Sequence, residues 1–266
     1  ARGGTVWHFI GERAMELNHM DGSLETALVE SYEVVDDQAL EFVLTLHQGI
    51  NLHNKEPWNG REFNAEDLAF NLTRIKGLTA DEEGIPLGAF QRASMLPGFV
   101  SAEPVDDYSV RVTLDSPGGS FLNGLAEIRN QMMPKGVVEM GFDDPLKFAG
   151  MSAYEITEHE PGVRMKFDRF NDYWRGTPGH FDALEMLVLP DRAANVAAFV
   201  GGDVNFFAGP QPHEREQILG ALPDAQYTTW QGPHWEHHRF SNDVGKFDDF
   251  RMRKAFQLAI PYKQRN

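Results

Sequence analysis

The chain has 266 residues, of which 24 are basic and 40 are acidic, so its formal net charge is -16. This surplus of negative charge argues against binding to nucleic acid or to an anionic membrane, because both attract positive charge. The chain contains no cysteine, which excludes disulfides, thiolate nucleophiles and cysteine-based zinc sites. No apolar run approaches the roughly 18 residues of a membrane helix, and the length favours two compact units over one.

A strand is predicted in the first fifth of the chain. From Leu40 to Leu46, every second residue is a leucine or phenylalanine and most of the residues between them are polar. Alternation of this kind is the period of a half-buried strand. The strand is expected to end at Gly49, and a turn-rich loop follows it.

A capped helix is predicted after that loop. Asn64 precedes the helix, so its side chain can accept a hydrogen bond from a backbone N–H of the first turn. Glu66 and Asp67 lie in that turn, where negative charge is favourable because the N-terminal end of the helix dipole is positive. The apolar face of the helix consists of Leu68, Leu72 and Ile75.

Two hairpins and a short helix are predicted in the middle of the chain. Residues Phe99 to Leu114 read as two strands around the turn pair Asp106 and Asp107. Residues Ile156 to Phe167 read as a second hairpin, and Ser120 to Ile128 as a short apolar helix.

The last third of the chain indicates a strand and helix alternation. Leu184 to Pro190 is an apolar run of the kind found in strands that are buried on both faces. Helices are predicted over Arg192 to Val200 and over Pro212 to Leu222. A strand is predicted next, over Gln226 to Trp230, and a final helical tail at Phe247 to Phe256. This order predicts a mixed sheet with helical cover.

Three stretches resemble, in order and spacing, the large extracytoplasmic solute-binding proteins of ABC importers, of the dipeptide/oligopeptide-binding (family 5) type. They are Leu28 to Arg74, with its LVESYEV, GINLH and NAEDLAF segments, Arg169 to Gly176 (RFNDYWRG), and the tail at Phe247 to Phe256. Where this family usually has a Gly-Thr-Gly-Pro-Tyr hinge, the chain retains only Gly150 and Tyr154.

The resemblance implies an α/β fold, with a type II periplasmic-binding-protein-like lobe built on a mixed sheet and with a peripheral α+β subdomain. The first ligand-binding lobe is expected to be discontinuous, over residues 1–24 and 150–245, and the peripheral subdomain to span 25–149. Residues 246–266 would begin a second lobe that is incomplete in this sequence. Compared with the family pattern, we expect a few dozen residues to be missing between Val6 and Trp7.

In such a protein the solute lies in the cleft, so its contacts should come from loops at strand ends and from segments near the lobe crossings. Two tryptophans are favoured there, since an indole face can stack on a sugar ring or cover a peptide side chain, although packing in a core is an equal use for each. The expected ligand-binding residues are Trp230, Trp235, His237, Asn242, Asn18, His19, Met20, Met151, Ser152, Tyr154 and Phe206.

Neither a metal site nor a catalytic site is indicated. His237 and His238 would point to opposite faces of a strand, and no helix places two histidines on one face in an H-E-x-x-H pattern. The chain lacks the nucleophile-elbow and phosphate-loop motifs, and its paired aspartates fall in turns, where solvated turn formers are expected. We therefore expect no metal, no cofactor and no enzymatic activity, while some relatives in the family do bind nickel complexes.

The resemblance predicts an extracytoplasmic receptor that captures a peptide-like or other small solute between two lobes and delivers it to the permease of an ABC importer. An oligosaccharide or a nickel chelate is the alternative solute, and a hydrolase with an unrecognised site is the alternative of another class. The protein is expected to be a monomer, periplasmic or extracellular, associated with the membrane through the importer and without a nucleic-acid partner. No signal peptide is present in the sequence.

Overall fold

The computed structural model places most of the chain in two compact units, residues 1–192 and 193–266, and each unit is described by itself. The division into two lobes and a peripheral subdomain stays a prediction. The residues that the structure describes are 9–18, 20–86, 90–176, 179–229, 239–240 and 245–260.

The first unit contains a four-stranded antiparallel sheet of β3 (Val29–Val34), β4 (Glu41–Leu46), β5 (Phe99–Pro104) and β6 (Ser109–Leu114), in the spatial order β3-β4-β6-β5. In β4 the alternate residues Phe42, Leu44 and Leu46 are buried, so the predicted half-buried strand is confirmed. The predicted hairpin after Phe99 is also confirmed, and it turns at Asp106, whose carboxylate accepts backbone N–H groups.

Helix α1 (Ala65–Lys76) packs against this sheet, and its cap is the one that the sequence predicts. The side chain of Asn64 accepts hydrogen bonds from the N–H groups of Glu66 and Asp67 at 3.1 and 3.3 Å. The Asp67 carboxylate in turn accepts the N–H of Asn64 at 3.0 Å, which completes a capping box. The helix ends at Gly77, which has a φ of 84° in the left-handed region.

A second, three-stranded antiparallel sheet consists of β7 (Tyr154–Glu160), β8 (Arg164–Arg169) and β9 (Ala183–Leu187) in that order. The predicted hairpin is confirmed, and Gly162 occupies the left-handed region at its turn with a φ of 77°. The expectation of a strand buried on both faces is wrong for β9. This strand is at an edge of its sheet and is partly exposed along its length, because only β8 pairs with it among the described residues.

The first unit also contains a two-stranded hairpin and three short helices. Strands β1 (Met15–Leu17) and β2 (Leu24–Thr26) form a small hairpin. Helix α3 (Phe121–Leu125) is shorter than the sequence predicts, because it ends at Leu125 and not at Ile128. The short helices of this unit are α2 (Ala80–Glu83), α3 (Phe121–Leu125) and α4 (Val137–Met140). A continuous apolar core, in which Phe63, Phe121 and Phe167 are fully buried, joins the elements of this unit.

The second unit contains three α-helices, and its described residues contain no strand. Helices α5 (Arg192–Gly201), α6 (Pro212–Ala221) and α7 (Phe250–Ala259) confirm the three helices predicted in this part of the chain. The strand predicted from Gln226 is absent over residues 226–229, and Trp230 lies outside the described residues. Among the residues that the structure describes, every helix is too short or too polar to cross a membrane.

Candidate functional site

A glycine brings one of the predicted ligand-facing segments directly against the start of the chain. The N–H groups of Met151 and Ser152 donate to the carbonyl of Ile10 at 3.0 and 3.3 Å, and the Ser152 hydroxyl donates to the carbonyl of Phe9 at 2.7 Å. A Cβ on Gly150 would lie 1.6 Å from the Ile10 carbonyl oxygen. Only glycine therefore permits this backbone approach.

A buried histidine holds the same segment from the other side. His53 is fully buried, and its Nδ1 accepts the N–H of Gly150 at 3.1 Å. Since Nδ1 is an acceptor, the proton of the neutral ring lies on Nε2, which donates to the Ser152 carbonyl at 3.0 Å. Burial lowers the pKa of His53 to about 4, so the imidazole is neutral at physiological pH and this tautomer is fixed.

The side chains of the segment are committed to the protein itself. Met151 is fully buried. The hydroxyl of Tyr154 donates to the carbonyl of Phe181 at 3.2 Å and accepts its N–H at 3.1 Å. Ser152 and Ala153 stand where the family usually has glycine and proline, and neither has a positive φ, so the departure from the family pattern causes no backbone strain here. A contact between these residues and a solute stays a prediction.

A lysine anchors the next part of this region. The ammonium of Lys55 donates to the carbonyl of Leu146 at 3.0 Å and to the carbonyl of Ile156 in β7. Burial lowers the pKa of Lys55, and the negative charges of Glu155 and Asp144 oppose that shift. The loop that carries His53 is thereby fixed to the strand that follows the Gly150 segment.

The turn between β1 and β2 carries the first predicted ligand-facing residues. The side chain of Asn18 donates to Glu25 at 2.7 Å and accepts the N–H of Met20 at 2.8 Å. The N–H of Asn18 donates to the carbonyl of Ser23 at 2.8 Å. The Met20 side chain is 94% exposed, so it is available for contact, whereas His19 lies outside the described residues.

A buried carboxylate at the start of the chain binds the RFNDYWRG segment. The Tyr173 hydroxyl donates to Oε1 of Glu12 at 2.5 Å, and Arg175 donates to Oε2 at 3.1 Å. Arg175 also reaches Glu16 of β1 at 3.1 Å. Burial raises the pKa of Glu12, although the Tyr173 hydrogen bond and the Arg175 charge act in the opposite direction. The cluster fixes the base of the β1–β2 hairpin.

Aromatic contacts extend this cluster. The ring of Trp174 lies 5.0 Å from the ring of His47 between centroids, and the guanidinium of Arg175 lies 4.9 Å from the Trp174 ring. The indole N–H of Trp174 is buried and meets no hydrogen-bond acceptor among the described residues. The indole N–H of Trp174 and the guanidinium of Arg175 thus lie close together, and Arg175 contacts the β1–β2 hairpin through Glu16.

The remaining predicted residues are in the second unit. The Phe206 side chain is 81% exposed. A cavity of about 410 Å³ is lined by the ends of α5 and α6 and by the adjacent Asn205, but Phe206 does not line it. The residues on which the strongest ligand predictions rest, Trp230, Trp235, His237 and Asn242, lie outside the described residues.

The described residues contain no group of three or more histidine, aspartate and glutamate side chains that could hold a metal ion. The paired aspartates that the sequence assigns to turns accept backbone N–H groups there. Asp106 accepts those of Tyr108 and Ser109, both at 2.8 Å, and these hydrogen bonds lower its pKa. Asp249 accepts the N–H of Arg251 at 2.8 Å and so caps helix α7.

Sequence reasoning missed the residues that position the candidate segments. His53, Tyr173 and Arg175 lie within stretches that carry the family resemblance, and the expected ligand-binding set takes no residue from those stretches. Glu12 lies ahead of them in the chain. The signal that could have found them is the presence of an ionisable or polar side chain inside an otherwise structural pattern, as in the GINLH and RFNDYWRG segments.

The comparison with protein families places nearly the whole chain in one model. Residues 23–266 match the model described as bacterial extracellular solute-binding proteins, family 5 Middle. The match includes the β1–β2 hairpin only from Ser23 onward and extends over all the helices described above.

Two curated relatives have names that state a bound solute. The chain is 25% identical to heme-binding protein A of Haemophilus influenzae over 265 residues, which are 94% of this chain and 47% of that protein. It is also 25% identical to the glutathione-binding protein GsiB of Pectobacterium atrosepticum over 243 residues, which are 90% of this chain and 44% of that protein. The chain thus spans about half the length of the curated relatives that it matches.

Solved structures share the fold. The structure of MoaA from A. tumefaciens R10 in complex with mannopinic acid matches with a TM-score of 0.77 and 20% identity, over 98% of this chain and 51% of that one. DppA from Helicobacter pylori in complex with the peptide STSA matches with a TM-score of 0.71 and 22% identity, over 84% of this chain and 46% of that one. The predicted α/β fold of the type II periplasmic-binding-protein class is therefore confirmed.

Proposed function

The chain belongs to family 5 of the bacterial extracellular solute-binding proteins, and from this premise we propose that it is part of the solute receptor of an ABC importer. The receptor captures a peptide-like or other small solute between two lobes and delivers it to the membrane permease. The observation that carries this proposal is the family match over residues 23–266. The curated relatives are likewise named as binding proteins and not as enzymes.

The described geometry supports a binding role, because its buried hydrogen bonds hold backbone segments in fixed positions and do not bring a nucleophile next to a base. Gly150 and His53 hold the segment around Met151 against Ile10, and Glu12 holds the base of the hairpin that carries Asn18. A rigid wall of this kind lowers the ordering cost that a solute must offset on binding.

In the proposed mechanism the solute lies between a first lobe, residues 1–24 and 150–245, and a second lobe that begins at residues 246–266. Residues 25–149 form a peripheral subdomain. Trp230 and Trp235 stack on the solute, and His237 and Asn242 add directional hydrogen bonds. A solute that contacts both lobes stabilises the closed form by its differential affinity, and the permease recognises that form. No covalent step is required.

A peptide-like solute is the first candidate, because DppA and two other structures with this fold contain peptides. Glutathione is itself peptide-like, and it appears in the name of a curated relative. Heme, mannopinic acid, oligosaccharides and nickel chelates are the other solute classes that the family suggests.

Thermal-shift measurements on the protein would test the proposal. The panel contains di- and oligopeptides, glutathione, heme, mannopinic acid, cello- and xylo-oligosaccharides and nickel chelates. One class should raise the melting temperature, because a solute at a hundred times its Kd stabilises the folded state by about 2.7 kcal/mol. With that solute, Trp230→Ala and Trp235→Ala should each reduce the shift.

The matched control is Tyr32→Ala, which removes a 45% exposed aromatic side chain from β3, outside the predicted ligand set. It should leave the ligand-induced shift unchanged. No stabilisation by any member of the panel would contradict the receptor proposal, and turnover of ester or glycoside substrates would support a hydrolase in its place.

A further inference from the structure

A cavity of about 350 Å³ lies within residues 71–133, and none of the predicted ligand-binding residues lines it. Its walls come from the C-terminal half of α1, from the segment around Phe90 to Arg92, and from residues 129–133 that precede α4. Cavities of this size hold small organic ligands.

The cavity is rich in positive charge, although the chain as a whole has a net charge of -16. Its lining includes Arg74, Arg92 and Arg129. Arg74 forms an ion pair with Glu83 at 3.1 Å, and Arg129 with Glu127 at 3.0 Å. Neither glutamate lines the cavity.

Arg92 supplies the surplus charge. Its guanidinium forms no ion pair or side-chain hydrogen bond with the described residues, whereas the other two arginines of the lining each have a glutamate partner. The guanidinium of Arg74 also lies 5.8 Å from the ring centre of Phe90, which holds it at the wall. Guanidinium groups bind carboxylates through a planar pair of N–H donors, so this wall favours an anionic carboxylate.

A buried acceptor indicates what else the ligand carries. Asn130 is only 2% exposed and lines the cavity. Its Nδ2 donates to the carbonyl of Gly124 at 2.8 Å, whereas its Oδ1 is buried and accepts no hydrogen bond from the described part of the chain. Since buried polar atoms are almost always paired, a ligand with a hydrogen-bond donor would satisfy this oxygen.

The rest of the lining is partly apolar. Ile75, Ile85 and Met133 face the same cavity as the arginines. Apolar side chains stabilise a hydrocarbon group that leaves water, at about 25 cal/mol for each Å² buried. A ligand that suits the whole cavity therefore combines a carboxylate, a hydrogen-bond donor and a short hydrocarbon part.

We propose that this cavity, which we call the arginine cavity, is a second binding site and that it takes small 2-hydroxy or similarly substituted carboxylic acids. The carboxylate lies toward Arg92 and the other arginines, the hydroxyl donates to Oδ1 of Asn130, and the hydrocarbon chain contacts Ile75 and Ile85. This site is independent of the proposed solute cleft, because it shares no residue with the predicted ligand set.

Isothermal titration calorimetry with 2-hydroxy-4-methylpentanoate as the probe would test the site. Arg92→Gln should weaken binding about tenfold, which is the loss expected for one charge-assisted hydrogen bond. Arg111→Gln is the matched control. Arg111 pairs with Glu41 at 3.0 Å, on the face of β6 opposite to the buried Val110 and Val112, and its replacement should leave the affinity unchanged.

The role of Asn130 can be tested with a second probe and with one variant. The probe 4-methylpentanoate lacks the hydroxyl and should bind about tenfold more weakly than the hydroxy acid. In Asn130→Ala, whose folding is checked by circular dichroism, the two probes should bind equally. Absence of binding at millimolar probe, or equal loss in Arg92→Gln and Arg111→Gln, would overturn the proposal. Equal affinity of the two probes for the unmodified protein would overturn the assignment of Asn130.

Discussion

His53 and Gly150 are joined by two hydrogen bonds of opposite direction, although 97 residues separate them. The N–H of Gly150 donates to Nδ1 of His53 at 3.1 Å, and the N–H of His53 donates to the carbonyl of Gly150 at 2.8 Å. The first bond exists only while the imidazole is neutral, because a protonated ring has no acceptor nitrogen.

Acid should therefore weaken the fold through His53. Its pKa is about 4 in the folded protein, against 6.5 as the ordinary value, so the unfolded state binds more protons between these two pH values. The stability from this group is fully present above pH 6.5, and about 3 kcal/mol of it is lost as the pH falls to 4. Urea unfolding at several pH values measures this slope.

The variant His53→Gln should be less stable at pH 7 and should show a smaller loss of stability between pH 6.5 and 4. His159→Gln in β7 is the control, and it should keep the slope of the unmodified protein. If His53→Gln retained that slope, another group would be responsible for the acid sensitivity.

Two glycine substitutions should have opposite effects. In Gly150→Ala the new methyl group would lie 1.6 Å from the Ile10 carbonyl oxygen, so the two backbones must separate and unfolding should become easier by about 3 kcal/mol or more. In Gly220→Ala, within α6, no atom beyond the neighbouring residues and the helix's own backbone lies within 4 Å of the added Cβ. That variant should be more stable by about 0.5–1 kcal/mol, because alanine favours the helix. The midpoints of urea unfolding would measure the change in stability of both variants. Equal changes in the two variants would contradict the close backbone approach at Gly150.

Removing the Tyr173 hydroxyl should raise the pKa of Glu12 further. Burial already raises that pKa, and the hydrogen bond from Tyr173 is the largest influence that lowers it. Tyr173→Phe should also cost about 2 kcal/mol at pH 7, because a buried carboxylate loses a hydrogen bond. A carboxyl-carbon NMR titration reports the pKa directly. Tyr108→Phe, which removes a comparable bond to Glu62 at 3.1 Å, should leave the pKa of Glu12 unchanged.

The capping residue Asp67 should contribute more to the free energy of unfolding than its exposed neighbour Glu66. The Asp67 side chain is fully buried and accepts two hydrogen bonds from Arg61, both at 2.7 Å, and one from the N–H of Lys135. Asp67→Asn should lower the free energy of unfolding by about 3 kcal/mol, because a fully buried carboxylate loses its charge and with it the charge-assisted hydrogen bonds from Arg61 and from backbone N–H groups.

The control for this change is Glu66→Gln, which breaks an ion pair with Lys135 in which both side chains are more than half exposed. Exposed pairs contribute about 0–1 kcal/mol, so the denaturation midpoint should barely move. Similar losses of stability in both variants would show that the burial of Asp67 does not determine its contribution to the free energy of unfolding.

Much of the fold follows from local sequence patterns. The alternation from Leu40 to Leu46 and the cap at Asn64 correctly predict β4 and α1, because strand period and helix capping depend on residues a few positions apart. The prediction that β9 is buried on both faces was wrong, because an apolar run does not specify whether a strand lies inside a sheet or at its edge. The predicted C-terminal end of α3 was also wrong, because the end of this helix depends on the contacts of the residues that follow it.

The sequence by itself determined the family and the fold class of this protein, through motifs whose spacing is local. Only the tertiary structure decided how the candidate segments are held. It pairs Glu12 with Tyr173 across 161 residues and His53 with Gly150 across 97, and it gathers the arginines of the cavity from separate segments. Such pairings depend on burial and on backbone approach between distant parts of the chain, for which no local period exists, so no motif in the sequence could specify them.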